Sequence, residues 1–242
     1  MNFDLIIQGP LNITSLKNLE NLVDQFENIV ISHWKEDMPC AIYNHDKIKI
    51  VSQPLPDRNK TFGVIKDSTF YYSLSSTYKG LQFCKSKYTI KSRSDETYSD
   101  YSVLKEKLLS DDERFVFGNI FAKPWSYSAY HIGDHMFAAK TEYLRKAYEF
   151  LYNSYTYGKN LIKDAWIIQG YPSHQTAESI LAKSFLKAKG VDRSTWSSKE
   201  AFLANYDVVD INTLGNYTAR WAHGNRTYHN DYKCSVNKME DF

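Results

Sequence analysis

Apolar and polar positions change their rhythm several times along the first hundred residues. Asp4–Gln8 (DLIIQ) is a short apolar run, the pattern of a buried strand, and Ser15–Asn28 then carries Leu16, Leu19, Leu22, Val23 and Phe26 at helical spacing. Ile29–His33 (IVISH) and Lys47–Val51 (KIKIV) read as strands, the second with clean alternation. A helix is predicted from about Ile65 to Cys84, followed by a strand at Tyr88–Ser92. This β-α-β-β-α-β order predicts an α/β fold: a mostly parallel, doubly wound central sheet flanked by helices. Further on, the pattern predicts helices near Tyr101–Leu109, Thr141–Tyr152 and Thr176–Lys189, and strands at Arg114–Asn119, His135–Ala139 and Asp207–Ile211. An aromatic loop, Pro124–Tyr130, lies among them, and the C-terminal stretch is polar and aromatic with little periodicity. No repeat, low-complexity tract or Pro/Gly linker divides the chain, so one domain over residues 1–242 is expected.

On open sheets of this kind, ligands bind beyond the carboxyl ends of the strands. The first strand runs into Gln8-Gly9-Pro10, and the second ends in Ser32-His33-Trp34. The third is followed by Gln53-Pro54-Leu55-Pro56-Asp57-Arg58-Asn59, and the fourth ends in Lys91-Ser92-Arg93-Ser94-Asp95-Glu96. Taken singly these are a turn, a core tryptophan and solvated charges. Four polar strand ends aligned in one sheet point instead to a site. A carboxylate there can hold a Mg²⁺ or Mn²⁺ that bridges a diphosphate, and Lys91 and Arg93 can neutralise phosphate oxygens directly.

Composition narrows the chemistry. The chain has only 10 Gly in 242 residues, where an ordinary usage gives about 17. The closest pair, Gly215 and Gly224, rules out both the G-x-G-x-x-G dinucleotide loop and the G-x-x-x-x-G-K phosphate loop. A nucleotide here needs another device. Thirty basic against 28 acidic residues, a formal +2, imply no nucleic-acid partner. Cys40, Cys84 and Cys234 share no C-x-x-C spacing, which favours a reducing compartment. The Met1-Asn2-Phe3-Asp4 start lacks the basic region of a signal peptide, and no run approaches the ~20 apolar residues of a membrane span. A cytoplasmic location is expected, in a bacterial cell or a virus-infected host cell, with peripheral contact the only membrane association left open.

In order along the chain, Ile6-Ile7-Gln8-Gly9-Pro10, Ile31-Ser32-His33-Trp34, Tyr78-Lys79-Gly80-Leu81 and Lys91-Ser92-Arg93-Ser94-Asp95 resemble the WavE-type lipopolysaccharide-synthesis proteins. Those are similar to GT-A glycosyltransferases, which use nucleotide-sugar donors. The resemblance covers roughly residues 4 to 100, with a weaker echo in Gly133-Asp134-His135-Met136-Phe137 and Thr176-Ala177-Glu178. It implies a single Rossmann-like GT-A domain, with a nucleotide-sugar-binding half at about 1–100 and an acceptor half with a C-terminal segment at about 101–242. It also implies transfer of a sugar from a nucleoside diphosphate donor to a carbohydrate acceptor, in glycan or lipopolysaccharide-type assembly. Gln8, Gly9, Pro10, Ser32, Trp34, Arg58, Asn59, Lys91 and Arg93 are the residues expected to hold the donor. Asp95 falls where GT-A enzymes carry the metal-binding aspartate of a D-x-D motif, which makes Mn²⁺ or Mg²⁺ the implied cofactor. The first position of that motif is Arg93 here. Either Asp95 alone anchors a water-rich cation, or Arg93 supplies part of the positive charge itself. Both serve one need, stabilising the charge that develops on the leaving diphosphate.

An inverting transferase, the form favoured here, needs a group to deprotonate the acceptor hydroxyl. Glu178, opening a predicted helix, is the expected base, although an acidic first turn is also ordinary helix-dipole chemistry. Asp134 is expected to bind acceptor hydroxyls. Trp125, Tyr127 and Tyr130 offer flat rings for an acceptor sugar, and His223, in the polar Arg220–His229 segment, is a candidate metal ligand. His131 and His135 have the i, i+4 spacing of a helical zinc pair, but Gly133 weakens a helix there and no glutamate takes the place of a metalloprotease base. The alternative of a different class is a non-catalytic carbohydrate- or nucleotide-binding protein on the same fold.

Overall fold

The computed structural model describes residues 3–11, 19–37, 45–57, 68–120, 122, 125, 130–157, 177–196, 198–215, 217–219 and 239. The first strand, β1 (Phe3–Gln8), is buried at all six positions. It runs between two parallel neighbours, β2 (Asn28–Trp34) and β4 (Tyr88–Arg93). A strand covered on both faces has no solvated side, which is why its sequence is a continuous apolar run instead of an alternation. Next to β2, parallel to it and at the edge of the sheet, lies β3 (Ile48–Gln53), whose half-exposed side chains match its alternating sequence. Beyond β4 come β7 (Phe137–Lys140), antiparallel to it, then β6 (Phe115–Gly118) and β8 (Tyr206–Val209). The seven strands thus make one mixed sheet in the order β3-β2-β1-β4-β7-β6-β8, with β7 alone reversed. The expected α/β class, a mostly parallel sheet flanked by helices in a single domain, is what the molecule has. The sheet runs unbroken through both halves of the chain.

Helices cover both faces. One face carries α2 (Ser68–Leu81), α4 (Thr141–Tyr157) and α5 (Ala177–Lys189), packed over Ile6, Val30, Phe115 and Phe137. The other carries the single turn α1 (Leu19–Leu22) and α3 (Ser102–Ser110), packed over Leu5, Ile7, Ile29, Ile31 and Ile90. Successive strand residues point to opposite faces, so the neighbours Leu5, Ile6 and Ile7 serve two cores. Helix α2 comes unusually close to the sheet. A Cβ on Gly80 would sit 3.1 Å from Ile6 Cγ2 and 3.2 Å from Ser32 Cβ. Ser32 and Ser76 close this contact by each donating its hydroxyl to the other's carbonyl, at 2.7 and 2.8 Å.

The differences from the sequence reading are local. Within the predicted helix 15–28, residues 15–18 lie outside the described residues, and the described helix stops at Leu22. The chain then turns into β2, and Phe26 stays buried without helical backbone. The strand predicted from His135 begins at Phe137, where pairing with Lys91 of β4 starts. A small second sheet was not foreseen: β5 (Glu96–Tyr98) pairs antiparallel with β9 (Tyr217–Ala219). Nor was α6 (Lys199–Asn205), whose N-terminus is capped by the Ser198 hydroxyl accepting from the Ala201 amide. Among the described residues, no helix is long and apolar enough to cross a membrane.

Candidate functional site

The chain leaves β1 for β2 and β3 on one side, then returns through α2 to place β4 on the other. That reversal opens a crevice beyond the carboxyl ends of β1 and β4, the place where doubly wound sheets bind ligands. A cleft of about 220 Å³ lies there. Its walls are Gln8, Gly9 and Pro10 after β1, Trp34 at the end of β2, Tyr72 and Ser73 of α2, and Arg93, Ser94 and Asp95 after β4. In register, Gln8 stands directly beside Arg93.

The two loops touch through glycine. Gly9 has φ +119°, and a Cβ there would lie 2.8 Å from the Ser94 hydroxyl. Only a residue without a side chain accommodates both the backbone and the approach. The Ser94 amide then donates to the Gln8 carbonyl (2.8 Å) and its hydroxyl to the Pro10 carbonyl (2.6 Å). At one end of the cleft the Trp34 and Tyr72 rings meet edge to face at 5.7 Å. Among the described residues the buried Gln8 side-chain oxygen has no hydrogen-bond partner, an arrangement that costs free energy.

At the other end stands a network of charges. The Arg93 fork donates to both oxygens of Asp95, Nε at 2.8 Å and an Nη at 2.7 Å. Burial opposes ionisation of Asp95, but the Arg93 guanidinium outweighs it and holds the carboxyl below its usual range. Behind Arg93, the Glu96 side chain is fully buried, with Oε1 3.9 Å from Arg93 Nε. Glu96 also takes the Tyr98 hydroxyl (2.8 Å) and pairs with His135 Nδ1. The far nitrogen of His135 lies 3.7 Å from Asp134 Oδ1, and His131 Nε2 lies 3.8 Å from Glu178 Oε2. Each imidazole therefore faces one of the two carboxylates singled out from the sequence. Burial would raise the Asp134 carboxyl, but His135, Lys91, Arg93 and His131 together bring it below the usual value.

The segment carrying these histidines is tightly placed. A Cβ on Gly133 would lie 2.2 Å from the Gly118 carbonyl oxygen, so the backbone presses directly onto the end of β6. Tyr130 is buried at φ 62°, a left-handed conformation that costs a non-glycine residue about 1–3 kcal/mol. Lys91, 1% exposed, donates its ammonium to the Asp134 and His135 carbonyls. Burial pushes its pKa down to about 8.

The structure brings together at the cleft six residues expected there: Gln8, Gly9, Pro10, Trp34, Arg93 and Asp95. Lys91, Asp134 and Glu178 belong to the adjoining network. Ser32 is committed to the helix–sheet contact with Ser76 and does not line the cleft. Tyr130 and Trp125 meet edge to face and both rings pack against Phe202, Tyr130 within the core. Arg58, Asn59, Tyr127 and His223 lie outside the described residues. Sequence reasoning did not single out Tyr72, Ser73 and Ser94, nor the Glu96–His135 pair. Ser94 and Glu96 flank Asp95 in the same charged run, which was the available signal; Tyr72 reaches the cleft only through the packing of α2. As for a cation, Arg93 takes both oxygens of Asp95, and among the described residues no three His, Cys, Asp or Glu stand where they could share an ion. A cation at Asp95 would therefore have to share or displace the Arg93 pair.

No family model matches the chain, and no curated protein is similar to it. Among solved structures, HddC from Yersinia pseudotuberculosis is 12% identical, with 60% of this chain and 79% of that one covered and a TM-score of 0.37. The same figures hold for HddC complexed with GMP-PN. A likeness of that size carries nothing about function.

Proposed function

We propose that this chain is a glycosyltransferase that moves a sugar from a nucleoside diphosphate donor to a carbohydrate acceptor, in glycan or lipopolysaccharide-type assembly. The observation that carries the reading is the cleft at the β1/β4 reversal, where the Trp34 and Tyr72 rings, the Gln8 side chain and the Arg93 guanidinium line one crevice. Trp34 and Tyr72 suit the flat face of a base, and Gln8 Oε1 suits a base N–H or ribose hydroxyl. Arg93 suits two phosphate oxygens at once. The motif resemblance over residues 4 to 100 supports the same donor class.

The reaction breaks the bond between the anomeric carbon and the diphosphate oxygen, and the electron pair leaves on the diphosphate. The acceptor oxygen forms the new bond and gives up its proton. Glu178 receives that proton, with His131 Nε2 3.8 Å behind it as a further station. Asp134 is held ionised by its cationic neighbours, which makes it a weak base and a good hydrogen-bond acceptor for a sugar hydroxyl. Release of a nucleoside diphosphate from UDP-, GDP- and ADP-sugars, followed over a panel of carbohydrate acceptors, tests the reading. At least one donor is expected to be cleaved. Nucleotide binding with no cleavage of any donor would leave the non-catalytic binding protein as the better description.

A further inference from the structure

We infer that the diphosphate is recognised here by an exchange of side chains that needs no divalent cation: Arg93 leaves Asp95 for the phosphate oxygens, and Asp95 is the resting counter-ion of Arg93. The inference rests on the nucleotide reading above and deepens it.

Three observations point the same way. The guanidinium already presents two parallel N–H groups to a pair of oxygens, at 2.8 and 2.7 Å, and the same fork geometry suits two phosphate oxygens. Both partners line the cleft, with side chains 32% and 19% exposed, so a ligand in the cleft reaches the guanidinium and can compete with Asp95 for it. Behind them, Glu96 stays in place. Its buried carboxylate is pinned by Tyr98 and His135 and stands 3.9 Å from Arg93 Nε, so the arginine keeps a fixed counter-charge while its outer face turns to a ligand. A cation at Asp95 would instead require that carboxylate free of Arg93, with water and the diphosphate itself supplying the other ligands.

The two devices give opposite signs for one substitution. If Asp95 bound a cation, removing its charge would abolish nucleotide binding. As the counter-ion of Arg93 it competes with the ligand, and removing its charge tightens binding. The test is calorimetric titration of the full chain with UDP, GDP, CDP and ADP, in EDTA and again with Mn²⁺. At least one nucleoside diphosphate is expected to bind equally well in both conditions. Asp95→Asn is expected to bind it about 2- to 5-fold more tightly, and Arg93→Ala about 10-fold or more weakly. Arg93→Lys, which keeps the charge and loses the fork, should fall between, and it guards against misfolding of the alanine variant. Binding that requires Mn²⁺, or that Asp95→Asn destroys, overturns the inference and leaves the nucleotide reading standing. Binding of no nucleotide under either condition overturns both.

Discussion

Lys91 shows how far a single residue's type and place can be read. Its place near the carboxyl end of a strand suggested a phosphate ligand. Its ammonium is in fact used on the carbonyls of Asp134 and His135, more than forty positions away, a partnership no local pattern displays. The strand-end residues Gln8, Trp34, Arg93 and Asp95 were legible because where a strand ends is a local property of the sequence pattern. Lys91 also makes a prediction. Its pKa is about 8 in the fold and near ~10.4 in an unfolded chain, so between those values the unfolded state binds more protons. Its contribution to stability therefore grows as pH rises through that window, and is lost as pH falls through about 8. The gap corresponds to about 3 kcal/mol. Lys91→Met removes the titrating group, so urea denaturation at about pH 7.5 and about pH 10 should show wild type gaining on the variant at the higher pH. An unchanged difference between the two would contradict the account.

At the scale of elements, strands buried on both faces were easy to find and contacts between distant segments were not. β1, β2 and β4 appeared within a residue or two of their observed bounds. The β5–β9 pair was invisible because each strand has three residues and the partners lie over a hundred positions apart. Gly80 stood out in the sequence only as part of a family-like motif; its physical reason is the close approach of α2 to Ile6 and Ser32. Asp4 is a sharper case. Read from the sequence, it was only the first residue of the predicted strand Asp4–Gln8. In the fold it is fully buried at the start of β1 and accepts from the Lys85 and Ser86 amides, the Ser86 hydroxyl and Asn28 Nδ2. It ties the turn before β4 to β1 and β2, and so sets the alignment of the strand ends that form the cleft. Asp4→Ala should cost about 3 kcal/mol or more, because several buried donors lose their acceptor together. Equilibrium urea unfolding measures this, and a loss within about 0.5 kcal/mol would show the staple to be idle.

For the whole molecule, the arrangement that matters is the reversal of strand order around β1. It follows from sequence order plus a right-handed crossover through α2, which is why the position of the site could be foreseen before its geometry. The direction of the reversed strand β7 could not, since so short an apolar stretch reads the same in either direction. Yet β7 follows the segment that brings His135 and Asp134 beside the β4 end, and with them the proton-handling side of the proposed reaction. The central claim is that this edge of the sheet transfers a glycosyl group with Glu178 as the proton acceptor. Single-turnover cleavage of the preferred nucleotide sugar by wild type and Glu178→Gln, each saturated with donor, tests it most directly. The account predicts a rate lower by about 10²–10⁴-fold in the variant, with donor affinity unchanged. Equal rates in the two proteins would contradict it.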